Sequence, residues 1–370
     1  MKNVYLSTIV SVLAILTFAS AAAPTNEETN EQKSARSVSV SVDPRVELMS
    51  IIFRLAGNPE YNMSQFLTYI GDIEKNFGQF KDHPVVKLAR QLRNSRGVSY
   101  DAVMSMAIHI KDVNDFELLV PLDPRPQTLD PRWEMSSVVE FLGKAKQFAQ
   151  ETKFNDFFDA HKSMYDRASA NFRSMMEKEA HLEWFDEFFG EKPGTEFNIC
   201  LGMANGGGCY GPRIKIGKTE EYYCILGVWK FSLLGFGEPV FDKSMLPTVI
   251  HEFCHSYANP IVDAHESELD IPGKRVYALV AEQMKRNAYG NWLTVMRESL
   301  VRACVVRYLA KNEGPDAANR QIQDDTRRGF LWMEGLSDLL IEYEQNRDKY
   351  PTLDDFFPKV VEFFDNYHKD

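Results

Sequence analysis

Cysteine is scarce in this chain: its 370 residues include five, Cys200, Cys209, Cys224, Cys254 and Cys304. Five are too few for a scaffold built on disulfides. In an oxidising compartment the odd number leaves at least one free thiol or an intermolecular bridge. Three lie between Cys200 and Cys224, where any intramolecular bridge is expected. None precedes Cys200, which excludes a propeptide with a cysteine switch. Basic runs are missing too, and the net charge is -11, so a nucleic-acid partner is not expected. Beyond the N-terminal segment no apolar stretch approaches the roughly 20 residues of a membrane span. The mature chain is therefore expected to be soluble, with no stable membrane insertion. No repeat of fixed period occurs. Gly206-Gly207-Gly208 is not a phosphate loop, because no Lys-Ser/Thr follows it and no helix opens after it.

The N-terminus has the form of a signal peptide over residues 1–23. Lys2 is followed by an apolar stretch from Val4 to Phe18, then by Ala19-Ser20-Ala21 or Ala21-Ala22-Ala23 as the cleavage pattern. Export to the periplasm or the medium follows from it. Residues 24–36 are rich in Asn, Glu, Gln and Lys and read as a disordered tether.

Two parts follow, 37–190 and 191–370, expected to pack as one unit. The first is mainly helical. Ser37 to Val42 alternates as a short strand, and Asp43-Pro44 supplies an N-cap and a first-turn proline. Apolar residues from Val46 to Leu55 recur at helical spacing, and Gly57 can close that helix. The paired phenylalanines Phe157-Phe158 and Phe188-Phe189 read as core, and the lone His109, His161 and His181 as structural or surface residues. In the second part Phe197–Leu201, Arg213–Ile216 and Tyr222–Phe231 read as strands. From Ser244, a candidate cap, helices run to the end, with breaks expected at Asn259-Pro260 and Ile271-Pro272-Gly273. This is an α+β pattern, predominantly helical, with a small antiparallel sheet ahead of the helix that begins near Ser244.

That helix carries His251-Glu252-Phe253-Cys254-His255. Residues four apart share a helical face, so both imidazoles can reach one metal ion. Glu252, about 100° round the helix, can lie beside a metal-bound water without ligating. Zinc lowers the pKa of such a water to about 7, and a carboxylate can take its proton and return it to a leaving amine. Cys254 lies about 60° from His251 on the flank away from Glu252, and is expected to be a buried free thiol. A metzincin would need glycine at 258 and histidine at 261, where this chain has Ala258 and Ile261. A ligand about twenty residues on would fall at Lys274 or Arg275, which cannot serve. Glu282 and Glu298 remain, with His265, in an acidic stretch read as a solvated loop, as an outsider. Glu298 is favoured: it sits at the edge of an apolar helical face over Trp292–Tyr308, where an unpaired carboxylate is costly, and Arg302 could orient it. Glu282 has Lys285 and Arg286 one turn on, as in an exposed ion pair.

The run His251 to Pro260, followed by Arg297-Glu298-Ser299-Leu300-Val301-Arg302-Ala303, resembles a group of secreted bacterial proteins catalogued as a domain of unknown function and related to the gluzincin metallopeptidases. The resemblance spans most of the mature chain, from the Asp43-Pro44 helix to Tyr350-Pro351-Thr352. It implies a zincin-like fold in which His251, His255 and Glu298 bind zinc and Glu252 is the base. The long step from His255 to Glu298 departs from the better-known gluzincins, and the family lends no substrate.

The expected function is a secreted zinc metallopeptidase, with a peptide or protein as substrate. Alternatives are a zinc hydrolase of another amide or ester, and an inactive binding protein on a zincin scaffold. In such folds an edge strand receives extended peptide, for which Tyr222–Phe231 and the Asn205–Tyr210 loop both qualify. Tyr210, Tyr289 and His265 are open candidates for stabilising an oxyanion. The cleaved bond and the oligomeric state are not legible.

Overall fold

The computed structural model describes residues 38–63, 65–192 and 194–367; the expected signal peptide and tether lie outside the described residues. Strand β1 is Val38–Ser41. The Asp43 carboxylate then accepts from the Arg45 amide at 2.8 Å and caps helix α1, Pro44–Leu55, with Pro44 in its first turn. Gly57, at φ +86°, turns the chain away after it. Helices α2 (Leu67–Phe77), α3 (Pro84–Arg96), α4 (Asp101–His109), α5 (Met135–Glu151), α6 (Phe154–Glu179) and α7 (Trp184–Phe189) complete the helical part. Phe157, Phe188 and Phe189 are buried and Phe158 packs against the core, as their spacing implied. His109 is held by Ser105 and Thr128, and His161 by Phe157 and Asp72.

Strands β2 (Thr195–Gly202), β3 (Cys209–Tyr210), β4 (Arg213–Ile216) and β5 (Thr219–Gly227) follow. The sheet is mixed, which corrects the antiparallel expectation. β1 pairs parallel with β2 and β2 parallel with β5, while β3 and β4 pair antiparallel with the other edge of β5. Alternation of apolar and polar residues marks a strand but not its direction. Direction is set by the connections: the whole helical part lies between β1 and β2. β5 also ends at Gly227 rather than at residue 231; Phe231 returns in an isolated bridge to Pro239. The described residues belong to one compact unit, in which β1 brings the first part into the sheet of the second. No described helix is long and apolar enough to cross a membrane.

Helices α8 (Leu246–Ala264), α9 (Glu266–Arg286), α10 (Trp292–Asn312), α11 (Pro315–Arg327), α12 (Met333–Gln345) and α13 (Leu353–Asn366) form the rest. Neither expected break near Pro260 or Pro272 occurs; both prolines lie inside helices. A proline costs an interior helix one hydrogen bond and a clash, and packing of α8 and α9 against their neighbours outweighs it. Gly273 has a positive reason to be there: a Cβ would stand 2.6 Å from the Trp292 indole, so its absence admits that ring. The lead-in to α8 is capped by Asp242, which accepts from the Ser244 amide at 2.9 Å, and not by Ser244 itself. α8 lies on the sheet through Phe253, whose ring is 4.5 Å from that of Phe197 on β2.

Glu47, fully buried in α1, accepts from the Tyr69 hydroxyl at 2.7 Å and from the Ala204 amide at 3.2 Å. Desolvation outweighs these bonds and pushes its carboxyl from 4.5 up to about 7. Because the folded value lies above the unfolded one, this stabilisation is fully present below pH 4.5 and lost as pH rises through 7. The loss is roughly 3 kcal/mol. Glu47→Gln should flatten the fall in stability by that order, compared by urea unfolding at pH 5 and pH 8. Parallel pH profiles for parent and variant would refute it.

Candidate metal centre

Three side chains from two packed helices converge. His251 and His255 stand one turn apart on α8, both half-buried, with their Nε2 atoms 3.1 Å apart. Glu298 on α10 is buried and reaches across, with Oε2 3.6 Å from His251 Nε2 and Oε1 3.4 Å from His255 Nε2. A tetrahedral zinc ion with bonds of about 2.0–2.2 Å holds its ligand atoms roughly 3.3–3.6 Å apart. The three separations fall close to that range, and two imidazoles plus one carboxylate are the donor set of a zinc site that keeps a position open. The residues fit the ion.

The surroundings prepare each donor. Asn259, one turn after His255, presents its amide oxygen to His255 Nδ1 at 3.2 Å. That oxygen can only accept, so Nδ1 carries the proton and the Nε2 lone pair is left for a cation. Asn259→Ala should lower zinc affinity by about 10- to 100-fold in a folded chain, measured by competition with a chelator. Unchanged affinity would remove Asn259 from the site.

Glu298 Oε2 accepts from the Tyr289 hydroxyl at 3.2 Å and from the Arg302 guanidinium at 3.1 Å. Arg302 in turn donates to fully buried Asp325 at 2.6 Å, and Gln321 donates to the other Asp325 oxygen at 2.9 Å. Arg302, expected to orient Glu298, does pair with it, and occupies only one carboxylate oxygen. Desolvation alone would raise the Glu298 carboxyl, but the imidazoles and Arg302 hold it well below the usual carboxylate range. Desolvation lowers His251, whereas the Glu298 carboxylate overcomes it at His255 and raises that imidazole to about 9, so a cation arriving at Nε2 takes the place of a proton there.

Glu252 is buried on the adjoining side of α8. Among the described residues no hydrogen-bond donor reaches its carboxylate, and desolvation raises it from 4.5 to about 7. The turn between β3 and β4 presses on this point of the helix: a Cβ at Gly211 would lie 2.3 Å from the Glu252 carbonyl oxygen.

The other named residues lie elsewhere or do something else. Glu282 is exposed and pairs with Lys285 at 3.1 Å, outside the cluster. His265 is not in a loop; it joins α8 to α9, contacts Glu268 at 2.7 Å and Asp354 at 3.1 Å, and faces the ring of Phe357. Cys254 is buried and free, with its thiol toward Cys304 of α10, and all five cysteines are free. The Tyr210 hydroxyl is buried without a hydrogen-bond partner among the described residues. Asn259 and Asp325 escaped the sequence reading. Asn259 had a signal, its one-turn spacing from His255; Asp325 had none, because α11 meets α10 only in the folded chain.

Fold and site together define a predominantly helical α+β protein with a metal-fitting cluster on two packed helices. Its family is equally definite: the chain belongs to the one described as Domain of unknown function (DUF4932), matched over residues 38–363. No curated protein and no solved structure matches it.

Proposed function

We propose that this chain is an exported zinc-dependent peptidase on a gluzincin-like scaffold. The observation that carries the reading is the spacing of His251, His255 and Glu298 around room for one tetrahedral ion, next to an unengaged Glu252. Zinc held there would supply Lewis acidity, polarising a carbonyl and acidifying water. Glu252, buried beside the cluster and without a hydrogen-bond donor among the described residues, takes the proton of the attacking water and returns it to the leaving amine. Tyr289 and Arg302 fix the orientation of Glu298, and Asp325 fixes Arg302. β3 lies at an edge of the sheet, and the turn after it touches Glu252, which suits an extended substrate pairing along that edge.

Metal analysis together with turnover of a mixed peptide library tests the reading. One zinc per chain, with cleavage abolished by a chelator, is expected. Zinc without peptide cleavage would move the substrate to another amide or an ester, and a folded chain that binds no zinc would overturn the proposal. Export rests on the N-terminal segment, with cleavage after Ala21 or Ala23. Secreted material whose N-terminal sequence begins at Met1 would refute it.

A further inference from the structure

Residues 230–240 form a hairpin between β5 and α8. Its arms are joined by the Val240 amide, which donates to the Lys230 carbonyl at 2.9 Å, and by the Ser232 amide, which donates to that of Glu238 at 3.1 Å. Phe231 and Phe241 turn inward, their rings 5.0 Å from those of Phe66 and Phe172. The tip is fixed as well. The Leu67 amide at the start of α2 donates to the Gly235 carbonyl at 2.8 Å, and the Thr68 hydroxyl donates to that of Phe236 at 3.1 Å. Gly235, at φ +93°, admits this approach: a Cβ there would stand 2.3 Å from the Gln65 carbonyl oxygen and 3.2 Å from Leu67 Cγ.

On this fixed frame the outward side chains are apolar. Leu233 is 67 % exposed, Leu234 96 %, Phe236 66 % and neighbouring Leu67 46 %. Leu234 is the most informative of them. Its φ of +42° is a conformation that Asn, Asp or Gly adopts at less cost, and its side chain stands in solvent. Neither the backbone nor the core requires leucine there, so the reason lies outside the chain.

Charge and area say what covers the patch. The hairpin's two charged residues, Lys230 and Glu238, are neutralised by Asp242 at 2.8 Å and by Arg167 at 3.0 Å. It therefore offers no free cation to lipid headgroups, and a chain of net charge -11 is repelled by an anionic bilayer. Residues 24–36 hold nothing more apolar than one proline and one alanine, too little to cover it. A second copy meets no such obstacle, because neutral pairs on the hairpin bring no like charges together. The four side chains leave on the order of 500 Å² of apolar surface in water. A standard interface takes about 800 Å² from each partner, about 65 % of it apolar in homodimers, which is the same area. A two-fold axis supplies the facing patch without any further partner.

We propose that the tip of this hairpin, Leu233, Leu234 and Phe236, forms with Leu67 the two-fold interface of a homodimer. The inference is independent of the zinc reading.

Sedimentation equilibrium of the mature chain across micromolar concentrations tests it, and the parent is expected to dimerise. Leu234→Asp suits the local backbone, since aspartate tolerates positive φ, and it sets two like charges in the contact. Self-association should weaken by at least about a hundredfold, because a two-fold axis places each substitution in the interface twice. Far-UV circular dichroism should not change. Phe236→Ser, a second variant, should weaken the dimer in the same way, whereas Ile271→Glu, at an exposed isoleucine of α9, should leave it intact. Vesicles of phosphatidylcholine and phosphatidylglycerol are offered to the same proteins in a co-sedimentation assay, where no binding is expected. A parent that stays monomeric, or a dimer that persists in both tip variants, overturns the proposal. So does vesicle binding that is lost in Leu234→Asp, which would assign the tip to a lipid surface.

Discussion

Glu252→Gln is expected to bind zinc as the parent does and to lose turnover by about 10²- to 10⁴-fold. The amide has the size of the carboxylate and can hydrogen-bond to water, but it cannot take a proton. Metal retention follows from geometry, because the converging donors come from His251, His255 and Glu298 and not from position 252. Stability is also expected to hold, since a buried neutral amide is less costly than a buried carboxylate without a donor. Metal stoichiometry, melting temperature and peptide turnover, measured on the same preparation, check all three. Turnover within tenfold of the parent would remove Glu252 from the mechanism.

Glu298→Ala and Glu282→Ala, made separately, are expected to part company over zinc. Removing Glu298 deletes one of three donors and should weaken zinc by more than about a hundredfold, beyond the 10- to 100-fold typical of an outer-shell partner. It also takes from Arg302 one of its two carboxylate partners, leaving Asp325. Some loss of stability is therefore expected, and Glu298→Gln, which keeps an oxygen for Arg302 and Tyr289, controls for it. Glu282→Ala deletes only an exposed partner of Lys285 and should change neither metal nor stability measurably. Loss of zinc in the folded Glu282 variant, with zinc retained in the folded Glu298 variant, would reverse the assignment.

Local chemistry explains which elements were readable. Asp43-Pro44 announces α1 because a cap and a first-turn proline act on their own neighbours, and the structure has both. The two histidines share a face because helical pitch alone puts them there. Glu298 was within reach because a carboxylate on an apolar helix asks for a partner.

The sequence by itself determined what depends on spacing within a few residues: the capped start of α1 at Asp43-Pro44, the shared face of His251 and His255, and the burial of Phe157, Phe188 and Phe189. Tertiary structure decided what depends on residues far apart in the chain. β2 and β5 run parallel because of how the chain returns between them, and alternation carries no sign of that. α8 and α9 continue through Pro260 and Pro272 because packing against neighbouring elements outweighs a local penalty. Arg302 meets Asp325 only when α11 folds back on α10, and Phe330 meets the Arg302 guanidinium through the turn at Gly329. Such contacts leave no periodic trace, since nothing within one turn or one strand of those residues requires them.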